Sequence, residues 1–136
     1  MKVKCLSISG EVIPQENKLP GESDETLYSP LCKEESYEVY GIMFYSTRID
    51  YLISASDRGP MWAPSDLFEV LDNQLPKEWQ YLPINESCSY SPLNKYFGVR
   101  LIIGYQRLTE SFEHYTSILE REPDDINYFN SLTLTY

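Results

Sequence analysis

Three short runs in the first half of the chain alternate apolar and polar residues with the period of a strand. Tyr37 to Tyr45 reads Y-E-V-Y-G-I-M-F-Y, Ile49 to Ser54 reads I-D-Y-L-I-S, and Leu67 to Leu71 reads L-F-E-V-L. All are rich in β-branched and aromatic residues and are bounded by turn chemistry. In the first run Tyr37, Val39, Gly41, Met43 and Tyr45 fall on one face and Glu38, Tyr40, Ile42 and Phe44 on the other, so both faces carry apolar groups and the strand is expected to be central. Val3 to Ile8 is an opening strand, extended by Val12 and Ile13, and Met61 to Ala63 is a further short one. Turns are expected at Ser46-Thr47-Arg48, at Asp57-Arg58-Gly59-Pro60 and at Pro64-Ser65-Asp66. Between the first two strands lies a long polar connection, residues 15–35, with a short helix expected near Asp24 to Leu27. Unstructured loops of that length are uncommon in compact domains.

After Asp72 the period changes. Leu75 to Trp79 is expected to make one helical turn that folds Trp79 back on the strands, with Pro76 near its start. Residues 80–91 read as a loop, and Ser91-Pro92 as a helix start. Leu101, Tyr105, Leu108, Phe112, Tyr115 and Leu119 recur at steps of four and three, the apolar face of one long helix. Gly98 and Gly104 weaken its early part, leaving Val99 to Ile103 open to a strand reading. Pro123 ends the helix, and Asp124 and Asp125 cap a last one running to about Leu132. The fold class expected is α+β: a small SH3-like β-barrel over residues 1–73, then a helical half over 74–136 packed on it as one structural unit.

At 136 residues the chain suffices for one domain with a core of its own. Its net charge is −10, from 21 acidic against 11 basic residues, and the basic ones are scattered singly. That excludes the clustered lysine and arginine needed for nucleic acid or an anionic membrane. It favours a basic protein partner instead, although acidity can serve solubility alone. Three cysteines at wide spacing, Cys5, Cys32 and Cys88, form neither a disulfide framework nor a zinc motif, and are expected to be small packing residues of a reduced, cytoplasmic protein. No apolar run reaches membrane-spanning length.

Nucleotide-loop, nucleophile-elbow and zinc-protease motifs are missing from the sequence, and no catalytic residue, metal or cofactor is expected. The one histidine, His114, stands near Glu110 and Glu113, a pair a hydrolase could use. The simpler reading is an exposed helical histidine with ordinary neighbours. Glu120, Glu122, Asp124 and Asp125 could attract a hard cation, or merely solvate and cap a helix end. The partner-binding candidates are therefore acids and aromatics: Glu22, Asp24, Glu25, Glu34 and Glu35 on the connection, Glu120 to Asp125 near the end, and Tyr40, Tyr45, Trp62 and Tyr90 as anchors. Each aromatic could equally fill the core.

Several of these blocks resemble a known group. K-V-K-C at Lys2 to Cys5, then Tyr37 to Ile42, Asp50 to Ile53 and the W-A-P-S-D-L-F-E-V block at Trp62 to Val70 resemble small SH3-like barrel proteins of bacteria and phages. The run Leu67 to Trp79, followed by G-Y-x-x-L at Gly104 to Leu108 and I-L-E-R-E at Ile118 to Glu122, resembles immunity proteins of toxin–immunity pairs. The resemblance implies a non-enzymatic inhibitor that covers a cognate toxin, such as a basic nuclease. The alternative is a peptide-binding or phage adaptor module, and the oligomeric state is left open by both.

Overall fold

A computed structural model describes residues 1–55 and 59–132. The Asp57 and Arg58 of the expected turn lie outside the described residues. Seven described strands form one antiparallel sheet: β1 (Lys2–Cys5), β2 (Ser36–Phe44), β3 (Ile49–Ser54), β4 (Pro60–Pro64), β5 (Phe68–Asp72), β6 (Gln80–Pro83) and β7 (Leu101–Gly104). Helices α1 (Ser91–Phe97), α2 (Gln106–Glu110), α3 (Phe112–Leu119) and α4 (Pro123–Ser131) belong to the second half. The α+β class stands.

The barrel does not close. The main strand order is β4-β3-β2-β1-β5, and β7 and then β6 branch from β2. One edge of β2 is covered by β3, while the other is divided. Its first residues pair with β1 (Val3 opposite Tyr37) and its last four with β7 (Phe44 opposite Leu101). With β6 and β7 extending one arm and β1 and β5 the other, β5 never meets β4, and the sheet stays open. The sequence reading took residues 80–91 for a loop, so it missed β6 and with it half of the branch.

A bulge at Tyr40 sets the faces of β2. Val39 lies opposite Ile53 and Gly41 opposite Leu52, so Tyr40 has no partner of its own on β3. An extra residue shifts the side-chain phase by one position. Val39 and Ile42, three apart, consequently enter the same core with Tyr51, Ile53, Val3 and Leu67, and Tyr40 and Met43 share the other with Leu52 and the helices. The strict alternation expected from the sequence fails there for that reason. Trp79 does fold back, packing against both cores, but Leu75–Trp79 makes only a turn closed by the Trp79 amide on the Pro76 carbonyl (3.2 Å).

The single long helix is also replaced. Residues Leu101 to Gly104 take the strand alternative, and Ser111 breaks the remainder into α2 and α3 by capping: its Oγ accepts the His114 amide at 3.0 Å. Leu119, expected in the seam, is instead exposed. Gly104 is a glycine because Leu108 lies over it. A β-carbon at Gly104 would sit 2.6 Å from Leu108 Cδ2 and 3.1 Å from the Tyr40 carbonyl oxygen, and one at the facing Gly41 would sit 2.7 Å from the same Leu108 methyl.

The connection is a folded flap rather than an open loop. A short 3₁₀ turn at Gly10–Val12 stands where a strand extension was expected, another at Gln15–Asn17 opens the connection, no helix forms at Asp24 to Leu27, and β1 ends at Cys5. The flap doubles back on itself through the Gly10 amide on Thr26 (2.8 Å) and the Tyr28 amide on Ile8 (2.8 Å). Cys5 is buried, but Cys32 is exposed, contrary to its expected packing role.

Gly104→Ala should cost about 1–3 kcal/mol of stability, the usual range for overpacking a filled core. Equilibrium urea denaturation of the variant against the parent protein checks this.

Candidate partner-binding surface

Two buried polar networks hold the surface in shape. The first ties the flap to the β2–β3 turn. Arg48, 6% exposed, directs Nε to Asp50 Oδ1 (2.7 Å) and both terminal nitrogens to the Glu22 carboxylate, with Nη2 to Oε2 at 3.0 Å. Glu22 also accepts the Leu19 amide (2.7 Å) and the Tyr28 hydroxyl (2.7 Å). Burial opposes charge on Glu22, but the bonds from Arg48, Leu19 and Tyr28 outweigh it and hold the carboxyl below its ordinary value. Glu22 therefore faces inward and is not available to a partner, a correction to its expected role.

The second network contains His114, which is buried at 2% exposure rather than exposed. Its partners are neither Glu110 nor Glu113. Asp125 Oδ1 lies 2.6 Å from Nδ1, and the Tyr105 hydroxyl lies 2.7 Å from Nε2. A carboxylate only accepts, so Nδ1 carries the proton and Nε2 accepts from Tyr105. Burial depresses the His114 pKa despite the pull of Asp125, and burial raises that of Tyr105, so both rings are neutral near pH 7. With both rings out of reach of solvent, the chain Tyr105–His114–Asp125 staples β7, α3 and α4 together. Sequence spacing pointed to Glu110 and Glu113 because they lie within one turn, whereas Asp125 arrives from the next helix.

Between these networks, α3 separates two depressions. On one side lies an apolar groove of 450 Å³. Tyr45 and Trp62 line it, as two of the expected anchors, together with Leu19 of the flap, Phe97 of α1, and Tyr115 and Leu119 of α3. Neither of the other two anchors lines it: Tyr40 is half-buried and Tyr90 buried. Tyr40 packs on Phe129 (4.6 Å between ring centres), and Tyr90 is buried with its hydroxyl donating to the Leu108 carbonyl (2.7 Å). On the far side of α3 is a cleft of 480 Å³ lined by Glu113, Glu120, Glu122, Asp124 and Asp125. Thr116 borders both depressions.

The two acidic regions differ in how far their charge is already answered. On the flap, Asp24 pairs with Lys18 (2.9 Å), Glu34 with Lys4 (3.0 Å), and Glu25 accepts from Ser23, while Glu35 is exposed. Among the described residues, no lysine or arginine lines the α3–α4 cleft. Arg121, the one base in that stretch, takes a left-handed conformation (φ 62°) and lays its guanidinium over Gly59. Among the described residues no three histidine, cysteine or acidic side chains converge as a metal site, and no helix is long and apolar enough to cross a membrane. Comparison with protein-family models, curated proteins and solved structures finds no match.

Arg48→Met should destabilise the protein by about 3–5 kcal/mol, because it leaves the Glu22 and Asp50 carboxylates buried without their counter-charge; urea denaturation at pH 7 measures it. His114 adds a pH dependence of known sign. Its folded pKa lies below that of the unfolded chain, so unfolding takes up a proton, and stability falls as pH drops through about 6.5, by at most ~1.4 kcal/mol per pH unit from this group. His114→Asn should flatten the decline in urea midpoint between pH 7.5 and 5.5.

Proposed function

We propose that this protein is a non-enzymatic immunity protein, which binds a basic toxin domain such as a nuclease and covers its active site. The single observation carrying this reading is the α3–α4 cleft, where five carboxylates gather and, among the described residues, no lysine or arginine joins them. A nuclease must hold positive charge where it grips phosphate. Carboxylates set into such a site compete with the phosphate, and the long-range attraction speeds capture. Glu113, Glu120, Glu122 and Asp124 are all exposed and can approach a partner without unfolding anything. A cytoplasmic setting goes with this role, since a nuclease toxin acts there.

The apolar groove favours a second reading, a peptide-binding adaptor without a toxin partner. Salt separates the two. Capture steered by charge slows steeply as ionic strength rises, whereas groove binding of an uncharged peptide does not.

The reading is tested by expressing the adjacent reading frame with and without this protein. Growth arrest relieved by co-expression, together with co-purification, is expected. Unaltered growth in both cases and no co-purification would reject it. The triple variant Glu120→Lys/Glu122→Lys/Asp124→Lys should reduce the association rate at low salt by tenfold or more and cost no more than about 1–2 kcal/mol of stability, since Glu122 and Asp124 also stand at the N-terminal end of α4.

A further inference from the structure

We infer that the groove and the acidic cleft act as one bipartite dock, which takes a basic segment of the partner carrying one bulky apolar side chain. The apolar residue seats in the groove and its flanking lysines or arginines cross α3 into the cleft. This inference rests on the reading just given, and adds what the acidic surface alone lacks, a means of choosing among basic partners.

The geometry carries it. The groove has the volume of a small-ligand pocket, and its floor and walls are Met43, Trp62, Leu93 and Tyr115. Phe97 and Leu119 stand on its rim at 61% and 42% exposure, large apolar groups that the described residues leave in water. The far side of α3 is the carboxylate cleft, and Thr116 is common to both. Since α3 is about 10 Å across with its side chains, adjacent residues of an extended segment, each adding ~3.3 Å, span from groove to cleft in three or four steps. An apolar anchor ringed by charge is the arrangement in which a few buried groups dominate binding and the charges set orientation and encounter.

Charge also decides between occupants. A second copy would bring two bodies of net charge −10 together at their acidic sides, and an anionic lipid or nucleic acid would meet the same repulsion. A neutral apolar molecule would fill the groove and leave the cleft unused. A basic segment with an apolar anchor satisfies both.

The test uses the full chain, labelled with ¹⁵N, and three synthetic nine-residue peptides, each capped at both ends: a central tryptophan flanked by four lysines on each side, a central serine with the same lysine flanks, and a central tryptophan flanked by four glutamates on each side. The expected result is saturable shifting of the Phe97, Thr116 and Leu119 amides together with Glu120 and Asp124 by the first peptide alone. Its affinity should exceed that of the serine peptide by about tenfold or more, the effect of burying one large side chain. Leu119→Glu, a change at an exposed rim position that spares the core, should remove that advantage and keep the weak cleft response. If the lysine–serine peptide binds as tightly as the lysine–tryptophan one, the groove inference falls while the acidic reading survives. If the glutamate–tryptophan peptide binds as well as the lysine one, the charge coupling falls and the adaptor reading gains. No response to any of the three, or a groove occupied by a second copy in sedimentation and released by Leu119→Glu, overturns the bipartite dock.

Discussion

The strand β2 is the constraint on which the architecture rests. One edge is held from Val39 to Phe44 by β3, and the other is shared between β1 and β7, so the sheet forks instead of closing. The bulge at Tyr40 makes the fork workable. It rotates the side-chain phase between the two pairings, sending Val39 and Ile42 toward the flap and Tyr40 and Met43 toward the helices. Two cores thus grow from opposite faces of a single nine-residue strand. Gly41 and Gly104, opposite each other across the β2–β7 pair, then let Leu108 settle directly on the backbone, which brings α2 and its successor α3 close to the sheet.

Position within that frame explains the chemistry of the surface. Arg48, in the turn before β3, is drawn into the interior by carboxylates from both sides of it, Asp50 on β3 and Glu22 on the flap. Such buried ion pairs are weak contributors to net stability, but removing one partner is costly, so they act to specify one arrangement. Here the arrangement specified is the seating of Leu19, whose amide is bound by Glu22 and whose side chain forms a wall of the groove. At the other end His114 performs a comparable service for α3 and α4, spending Asp125 while the neighbouring acids stay in solvent.

Much of the first half was legible in the sequence. Tyr37 to Tyr45 and Ile49 to Ser54 carry β-branched and aromatic residues on both faces and occupy the sheet centre as expected. What failed was what depends on distant parts of the chain. Four residues at Gln80 to Pro83 have no strand pattern of their own, and become β6 only because β7 offers an edge. The four-and-three spacing from Leu101 to Leu119 mimics a helix, yet its first residues bury alternate side chains in a strand and Ser111 interrupts the rest. Of the candidate site residues, Tyr45, Trp62 and the Glu120 to Asp125 cluster meet around α3, while Glu22 and Tyr90 are turned inward and Tyr40 lies half-buried on Phe129, because composition shows that an acid or an aromatic exists but not which way its backbone aims it.

Trp79 belongs to both cores at once, wedged between the helical face and the flap face of the sheet. A side chain held jointly in this way couples the melting of one half to the melting of the other, since either core loses a wall when its neighbour opens. Heat or denaturant should accordingly meet one cooperative body, and tightening a single end of the molecule would slow hydrogen exchange at the opposite end as well.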